Sequence, residues 1–132
     1  MATSSLPKKL QMKAGQRAVI INAPENYVEK LGPLPEGLEL VTEPEGQFDF
    51  VQVFVKNLAD VQSLVPTTMQ VVKRDALLWI AYPKGGAKAG TDVNRDILWN
   101  AVAQYNLTGT TLISLDEVWS AMRFRPSERV GK

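Results

Sequence analysis

Two stretches of this chain, residues 18–21 and 76–82, are apolar at every position. A half-buried strand alternates apolar with polar residues, and an amphipathic helix repeats every three or four. An unbroken apolar run bounded by turn residues is instead a strand buried on both faces. Such a strand needs cover above and below, which points to a mainly parallel sheet between two layers of helix.

The segments around these runs supply that cover. Residues 17–23 form the first strand, introduced by Ala14-Gly15. Pro24, Glu25 and Asn26 follow, then Tyr27, Val28 and Leu31 at helical spacing, stopped by Gly32-Pro33. Residues 38–42 make a second strand, 43–46 a turn, and 48–55 a third, strongly β-prone strand. Asn57 caps a helix from Leu58 to about Val72, which Pro66 should restart or kink. Residues 76–82 are the fourth strand, and 84–90 a lysine- and glycine-containing loop. Thr91 then caps a helix over 92–105, with Ile97, Leu98, Ala101, Val102 and Tyr105 on one face and Trp99 opposite. Residues 110–115 and 118–124 close the chain as a hairpin around Asp116-Glu117.

The order β-α-β-β-α-β-α-β-β defines an α/β fold. It is a three-layer, doubly wound, mainly parallel sheet of about six strands with an antiparallel C-terminal hairpin strand. A length of 132 residues allows one core. The expected division is a flexible basic arm over 1–12, a single domain over 13–126 and a tail over 127–132.

The chain contains no histidine and no cysteine, so imidazole and thiol catalysis, disulfides and zinc fingers are excluded; no catalytic residue and no metal site are expected. Lys+Arg number 15 against 14 Asp+Glu, but the charges are segregated. Lys8, Lys9, Lys13 and Arg17 make a basic start; seven acids over 25–49 face only Lys30; Arg123, Arg125, Arg129 and Lys132 make a basic end. Basic ends can hold nucleic acid, but they lack interleaved aromatic residues on which bases could stack, so nucleic acid is not the expected partner. No apolar run approaches the roughly 18 residues of a membrane span, and the polar N-terminus has no signal-peptide core. A cytoplasmic protein is expected.

The second half resembles the C-terminal half of the class I methyltransferase fold. The strand opening Phe48-Asp49-Phe50-Val51, the later strand Leu77-Leu78-Trp79-Ile80-Ala81-Tyr82-Pro83 and the final hairpin carry that resemblance, which spans about 17–125. It implies a Rossmann-like fold, S-adenosylmethionine as cofactor, and Glu43 in the place of the family's ribose-binding acid. The family also implies a glycine-rich loop after the first strand. Here that loop is Asn22-Ala23-Pro24-Glu25-Asn26-Tyr27, without glycine, and one helix–strand–helix segment is absent before Phe48. On that ground S-adenosylmethionine, and any cofactor, is not expected. The chain also resembles an uncharacterised bacterial family known only as a domain of unknown function, through Lys13–Gln16, Tyr82-Pro83-Lys84 and the strand from Trp119 to Phe124.

In an open doubly wound sheet, ligands bind outside the carboxyl ends of the parallel strands. Those ends offer Asn22, Lys56, Tyr82, Lys84, Gly85 and Gly86. The returning hairpin strand adds Trp119 and Ser120, with Lys84 beside Ser120 if that strand lies next to the fourth. These donors suit a small anionic ligand. Trp99, on the polar face of its helix, marks an interface for a homodimer or a protein partner. The expected function is a non-catalytic binding or assembly module of degenerate methyltransferase-like fold, not an enzyme. The alternative is a ligand-binding protein or enzyme for an adenosyl or phosphate compound.

Overall fold

A computed structural model gives the structure of residues 9–25, 27–31, 34–43, 45–84 and 92–127. Along the chain these form β1 (Arg17–Ile21), α1 (Tyr27–Leu31), β2 (Glu39–Val41), β3 (Phe48–Phe54), α2 (Leu58–Val71), β4 (Val72–Pro83), α3 (Arg95–Val102), a short 3-10 turn (Ala103–Tyr105), β5 (Leu107–Ser114) and β6 (Trp119–Pro126). The strands make one sheet in the order β2-β1-β3-β4-β6-β5. The first four in that order are parallel, and β6 runs antiparallel to both β4 and β5. The fold is the doubly wound α/β sheet that the buried runs imply.

Both faces of the central strands are dry. Val19, Val51, Val53 and Ile80 lie under α2 and α3, while Ala18, Ile20, Phe50 and Trp79 occupy the other face; all are at most 1% exposed. Each of these side chains larger than alanine contributes about 1.5–3 kcal/mol on leaving water. On the first face α2 buries Val61, Val65, Thr68 and Val71, and α3 buries Leu98 and Val102. On the second face α1 buries Tyr27 and Leu31, and the chain ahead of β1 adds to the cover. Leu10 and Met12, within the segment expected to be a flexible arm, are buried there, and Trp79 Nε1 donates to the Leu10 carbonyl at 3.0 Å.

Several boundaries differ from expectation for local reasons. Pro66 neither restarts nor ends α2, which runs through it from Leu58 to Val71. Pro66 is on the exposed side, where the Gln62 carbonyl that loses its N–H donor can bond water instead. The cap of α3 is Asn94, whose side chain accepts from Ile97 N at 2.9 Å; Thr91, the expected cap, lies outside the described residues. Asp92 accepts from Leu58 N at 2.7 Å and thereby ties the start of α2 to the approach to α3. β4 begins four residues early because Val72 pairs with Phe48 ahead of a register shift.

The amino ends of the strands are held by Arg17, Asp49 and Lys73. Asp49 accepts from Arg17 N at 2.9 Å and from Lys73 Nζ at 2.8 Å. The Arg17 guanidinium lies 4.3 Å over the Phe48 ring and donates to the carbonyls of Gln47 at 3.0 Å and Glu45 at 3.1 Å. It thus clamps the connection from β2 to β3. Gly46 sits against it at φ 96, where an added Cβ would stand 2.6 Å from Arg17 Nη1.

Two predictions follow from these contacts. The Arg17 backbone N–H, and then Lys73, hold the Asp49 carboxyl below the usual carboxylate range. Its folded pKa is therefore below its unfolded one, so its stabilisation is complete above the unfolded pKa of about 3.9 and is lost as pH falls toward the folded value. Urea unfolding should show the wild type losing its advantage over Asp49→Asn below about pH 4; a pH-independent difference would refute this assignment. Second, the Tyr27 hydroxyl donates to Gln52 Oε1 at 3.0 Å inside the second face, where burial pushes the phenol far above its ordinary pKa. Gln52 is fully buried and its Nε2 has no hydrogen-bond partner among the described residues. Tyr27→Phe should cost about 1–3 kcal/mol by leaving the Gln52 oxygen unmet as well. Adding Gln52→Met should recover most of that loss, and a double variant no more stable than Tyr27→Phe would show the pair is not the cause.

Candidate functional site

The chain leaves β1 for β2 on one side, then returns to build β3 on the other. The strand order therefore reverses at β1 and β3, and connections diverge from their carboxyl ends to open a crevice. Asn22 stands at that point. Its backbone is left-handed, at φ 60, and its side chain Nδ2 donates to the Phe54 carbonyl at 3.0 Å across the crevice. Asparagine is among the few non-glycine residues that enter this conformation readily. Past it, Ala23 and Pro24 are half-buried and Glu25 is exposed, and Tyr27 N donates to the Pro24 carbonyl at 3.1 Å to start α1. Asn26 lies outside the described residues.

The neighbouring strand ends are open to solvent. Thr42 and Glu43 follow β2, and both are exposed. The Glu43 carboxylate makes no hydrogen bond or ion pair among the described residues. After β3, Lys56 is exposed and its backbone N–H donates to Asp60 Oδ2 at 2.9 Å, while Asn57 caps α2 by accepting from Asp60 N at 2.9 Å.

A second group gathers where β4 meets the hairpin. Tyr82 pairs with Ser120 and Ser120 with Ser114, so the three share the α3 face. Lys84 does come beside β6, its backbone N–H donating to Val118 O at 2.7 Å. Its ammonium passes Ser120 and donates to Ser114 Oγ at 2.6 Å. Ser114 was not singled out from the sequence, although a hairpin turning at 116–117 sets it opposite Ser120. That turn is fixed by Asp116, whose Oδ1 accepts from Val118 N and Trp119 N, each at 2.8 Å. Burial raises the Tyr82 phenol pKa, opposed by Arg95 and assisted by Asp96, so the group is a neutral donor at ordinary pH. Gly85 and Gly86 lie outside the described residues.

Trp119 belongs to the opposite face. Its ring meets Phe54 edge-on at 5.0 Å, and Phe54 meets Tyr27 likewise at 4.6 Å. The residues grouped from the sequence are thus split by the sheet, with Tyr82, Lys84 and Ser120 toward α3 and Trp119 toward α1. Trp99 is 38% exposed on α3. It packs against Gly109 of β5, where an added Cβ would lie 3.3 Å from two of its ring carbons.

Solved structures share this architecture over most of its length. The N-methyltransferase NodS from Bradyrhizobium japonicum WM9, in complex with S-adenosyl-L-homocysteine, matches with a TM-score of 0.64 at 13% identity, over 92% of this chain and 84% of its own. A SAM-dependent methyltransferase from Aquifex aeolicus matches at 0.56 and 9% identity, over 91% of this chain and 87% of that one. Magnesium protoporphyrin IX methyltransferase from Synechocystis PCC 6803, with bound SAH, matches at 0.55 and 8% identity, over 90% and 77%. No protein-family model matches the chain. No curated protein matches it either. The fold is the methyltransferase-like Rossmann fold.

These neighbours correct three expectations. The non-catalytic binding or assembly module, the leaning against an enzyme and the exclusion of S-adenosylmethionine rested on the missing glycine loop, the absent helix–strand–helix segment and the lack of histidine and cysteine. The three structures named are methyltransferases, two of them solved with S-adenosylhomocysteine. At the end of β1 the backbone is left-handed at Asn22, φ 60, a conformation that asparagine enters readily without glycine. Among the described residues no helix is long and apolar enough to cross a membrane.

Asn22→Ala removes both the left-handed tolerance and the bond to Phe54, and should lower stability by about 1–3 kcal/mol. Asn22→Gly keeps the backbone turn and should lose less. Equal losses in chemical denaturation would show that the turn plays no part.

Proposed function

We propose that this chain is an enzyme of the S-adenosylmethionine-dependent methyltransferase type, holding the adenosyl group at the carboxyl ends of β1, β2 and β3. The observation that carries this reading is the left-handed turn of Asn22 at the point where the strand order reverses. It has support from a fold shared over nine-tenths of the chain with methyltransferases. The residues present suit the group. Glu43 brings an exposed carboxylate, with no partner among the described residues, to the end of β2, where it can accept hydrogen bonds from two ribose hydroxyls. Asn22 and Lys56 border the crevice from β1 and β3. Trp119, Phe54 and Tyr27 form an aromatic floor beneath the strand ends.

When bound, S-adenosylmethionine would supply a methyl group on a sulfonium leaving group. The chain's own part is to bind and orient. With no histidine or cysteine in it, the acceptor must be nucleophilic without an imidazole or thiolate base. Tyr82, Lys84 and Ser120 are the donors for an anionic group on that acceptor. A cytoplasmic setting and membership of an uncharacterised bacterial family go with this reading, through the Lys13–Gln16 and Tyr82–Lys84 motifs.

Isothermal titration of the full chain with S-adenosylhomocysteine and S-adenosylmethionine tests the proposal. Saturable binding is expected, weakened about tenfold, or about 1.4 kcal/mol, by Glu43→Ala as its charge-assisted bonds are lost. Glu36→Ala, at an exposed turn elsewhere, should bind as the wild type does. No heat and no thermal shift with either compound at millimolar concentration would overturn the assignment.

A further inference from the structure

At the carboxyl end of β4 a row of hydroxyls crosses the sheet. Tyr82 of β4 pairs with Ser120 of β6, and Ser120 with Ser114 of β5, all on the face that carries α3. Neighbours in such a row stand about 5 Å apart. Tyr82 is only 6% exposed, yet its hydroxyl makes no hydrogen bond among the described residues, and neither does Ser120 Oγ. Ser114 Oγ accepts from Lys84 Nζ at 2.6 Å and donates to the Asp116 carbonyl at 3.3 Å. That bond engages one of the three protons of the ammonium. Arg95 approaches the row from the first turn of α3. It is close enough to the Tyr82 phenol to act on its charge, and it lines a groove with Leu112, two residues before Ser114 on β5. Its ion pair with Asp96, at 3.4 Å, is exposed on both sides, and pairs of that kind contribute little.

We propose that this row binds a phosphate monoester, and that the methyl acceptor carries the phosphate as a handle away from the atom that is methylated. The role as acceptor handle rests on the methyltransferase reading; the phosphate site stands on the row itself. A phosphate monoester bears a charge of about −1.5 to −2 at pH 7 and three strong acceptor oxygens. Lys84 and Arg95 match that charge, and the hydroxyls of Tyr82, Ser114 and Ser120 meet the oxygens. A carboxylate, with a single charge and two oxygens, would leave part of the row unmet. The Tyr82 ring is fixed by burial, so its hydroxyl is in place before a ligand arrives, which lowers the cost of ordering it. Ser120 lies on β6, two strand spacings or about 10 Å from β3. Since β3 borders the crevice assigned to the adenosyl group, the phosphate binds and orients, and the nucleophile lies at about that distance from it.

Isothermal titration of the full chain in phosphate-free buffer, with phenyl phosphate, inorganic phosphate and benzoate, tests this. Phenyl phosphate should bind saturably, and benzoate about tenfold more weakly or worse. Lys84→Ala and Tyr82→Phe should each weaken phenyl phosphate about tenfold, the loss of one charge-assisted bond. Lys9→Ala, exposed ahead of β1, should bind as the wild type does. No saturable heat with phenyl phosphate at about 10 mM would overturn the proposal, on the scale of ordinary ligand affinities. So would benzoate bound equally well, or a site indifferent to Lys84→Ala and Tyr82→Phe. Inorganic phosphate bound more tightly than phenyl phosphate would assign the row to the free ion and overturn the ester. Phenyl phosphate bound by a chain that does not bind S-adenosylhomocysteine would support the phosphate site and overturn the methyltransferase reading. S-adenosylhomocysteine bound without phenyl phosphate would overturn the phosphate site alone.

Discussion

Phe50, Val51, Val53 and Phe54 of β3, and Trp79, Ile80 and Ala81 of β4, are all fully buried. With neither face of these strands wet, the chain has to build two covering layers, and it has few residues for the second. Two long helices cover one face. The other receives a five-residue helix, the Tyr27–Gln52 hydrogen bond and two residues, Leu10 and Met12, from ahead of the first strand. That thin layer explains why Trp79 spends its only donor on a backbone carbonyl near the N-terminus. It also explains why a glutamine with an unmet nitrogen is tolerated inside. Replacing Gln52 by an apolar residue would leave the Tyr27 hydroxyl unanswered, and Tyr27 is needed to close the face.

The strands were legible because continuous burial writes itself into composition. The six strands and three helices named among the described residues, and their order, are visible in the apolar runs and the turn residues between them. What escaped lay where the signal is a single residue or a distant partner. Leu10 and Met12 are isolated apolar residues among lysines, and no period marks them. Both Thr91 and Asn94 have capping chemistry, and Asn94 is the observed cap while Asp92 is occupied with Leu58. For the site, the edge and its donors could be located, since Tyr82 and Ser120 pair once β6 lies beside β4. Which face each side chain takes could not, because that depends on hairpin register. Trp119 and Ser120 are adjacent in sequence and on opposite sides of the sheet.

The loop after β1 holds no glycine, yet its first residue, Asn22, is left-handed. Asparagine in that place has a cost in freedom and a gain in cohesion. An asparagine side chain can bond the end of β3 while its own backbone turns away, so the crevice is pinned at its base. A glycine would leave the Phe54 carbonyl to water or to a ligand. The crevice between β1 and β3 is therefore stiffer at its floor than a glycine-built one.

The connection between β2 and β3 has a meaning beyond stability. Its far end is fastened by Arg17 to the carbonyls of Glu45 and Gln47, and Gly46 leaves no room there for a side chain. Its near end, Thr42 and Glu43, is exposed, and the bond there is local, from Glu45 N to the Glu43 carbonyl at 2.8 Å. Insertions and deletions are tolerated at exposed loop tips. The point at which a chain of this kind could gain or shed the helix–strand–helix segment found in the class it resembles thus lies at Thr42 and Glu43. Growth there would extend the sheet past β2 without disturbing β1, β3 or the strand ends. In evolutionary terms the domain has a fixed centre and one flank of negotiable length.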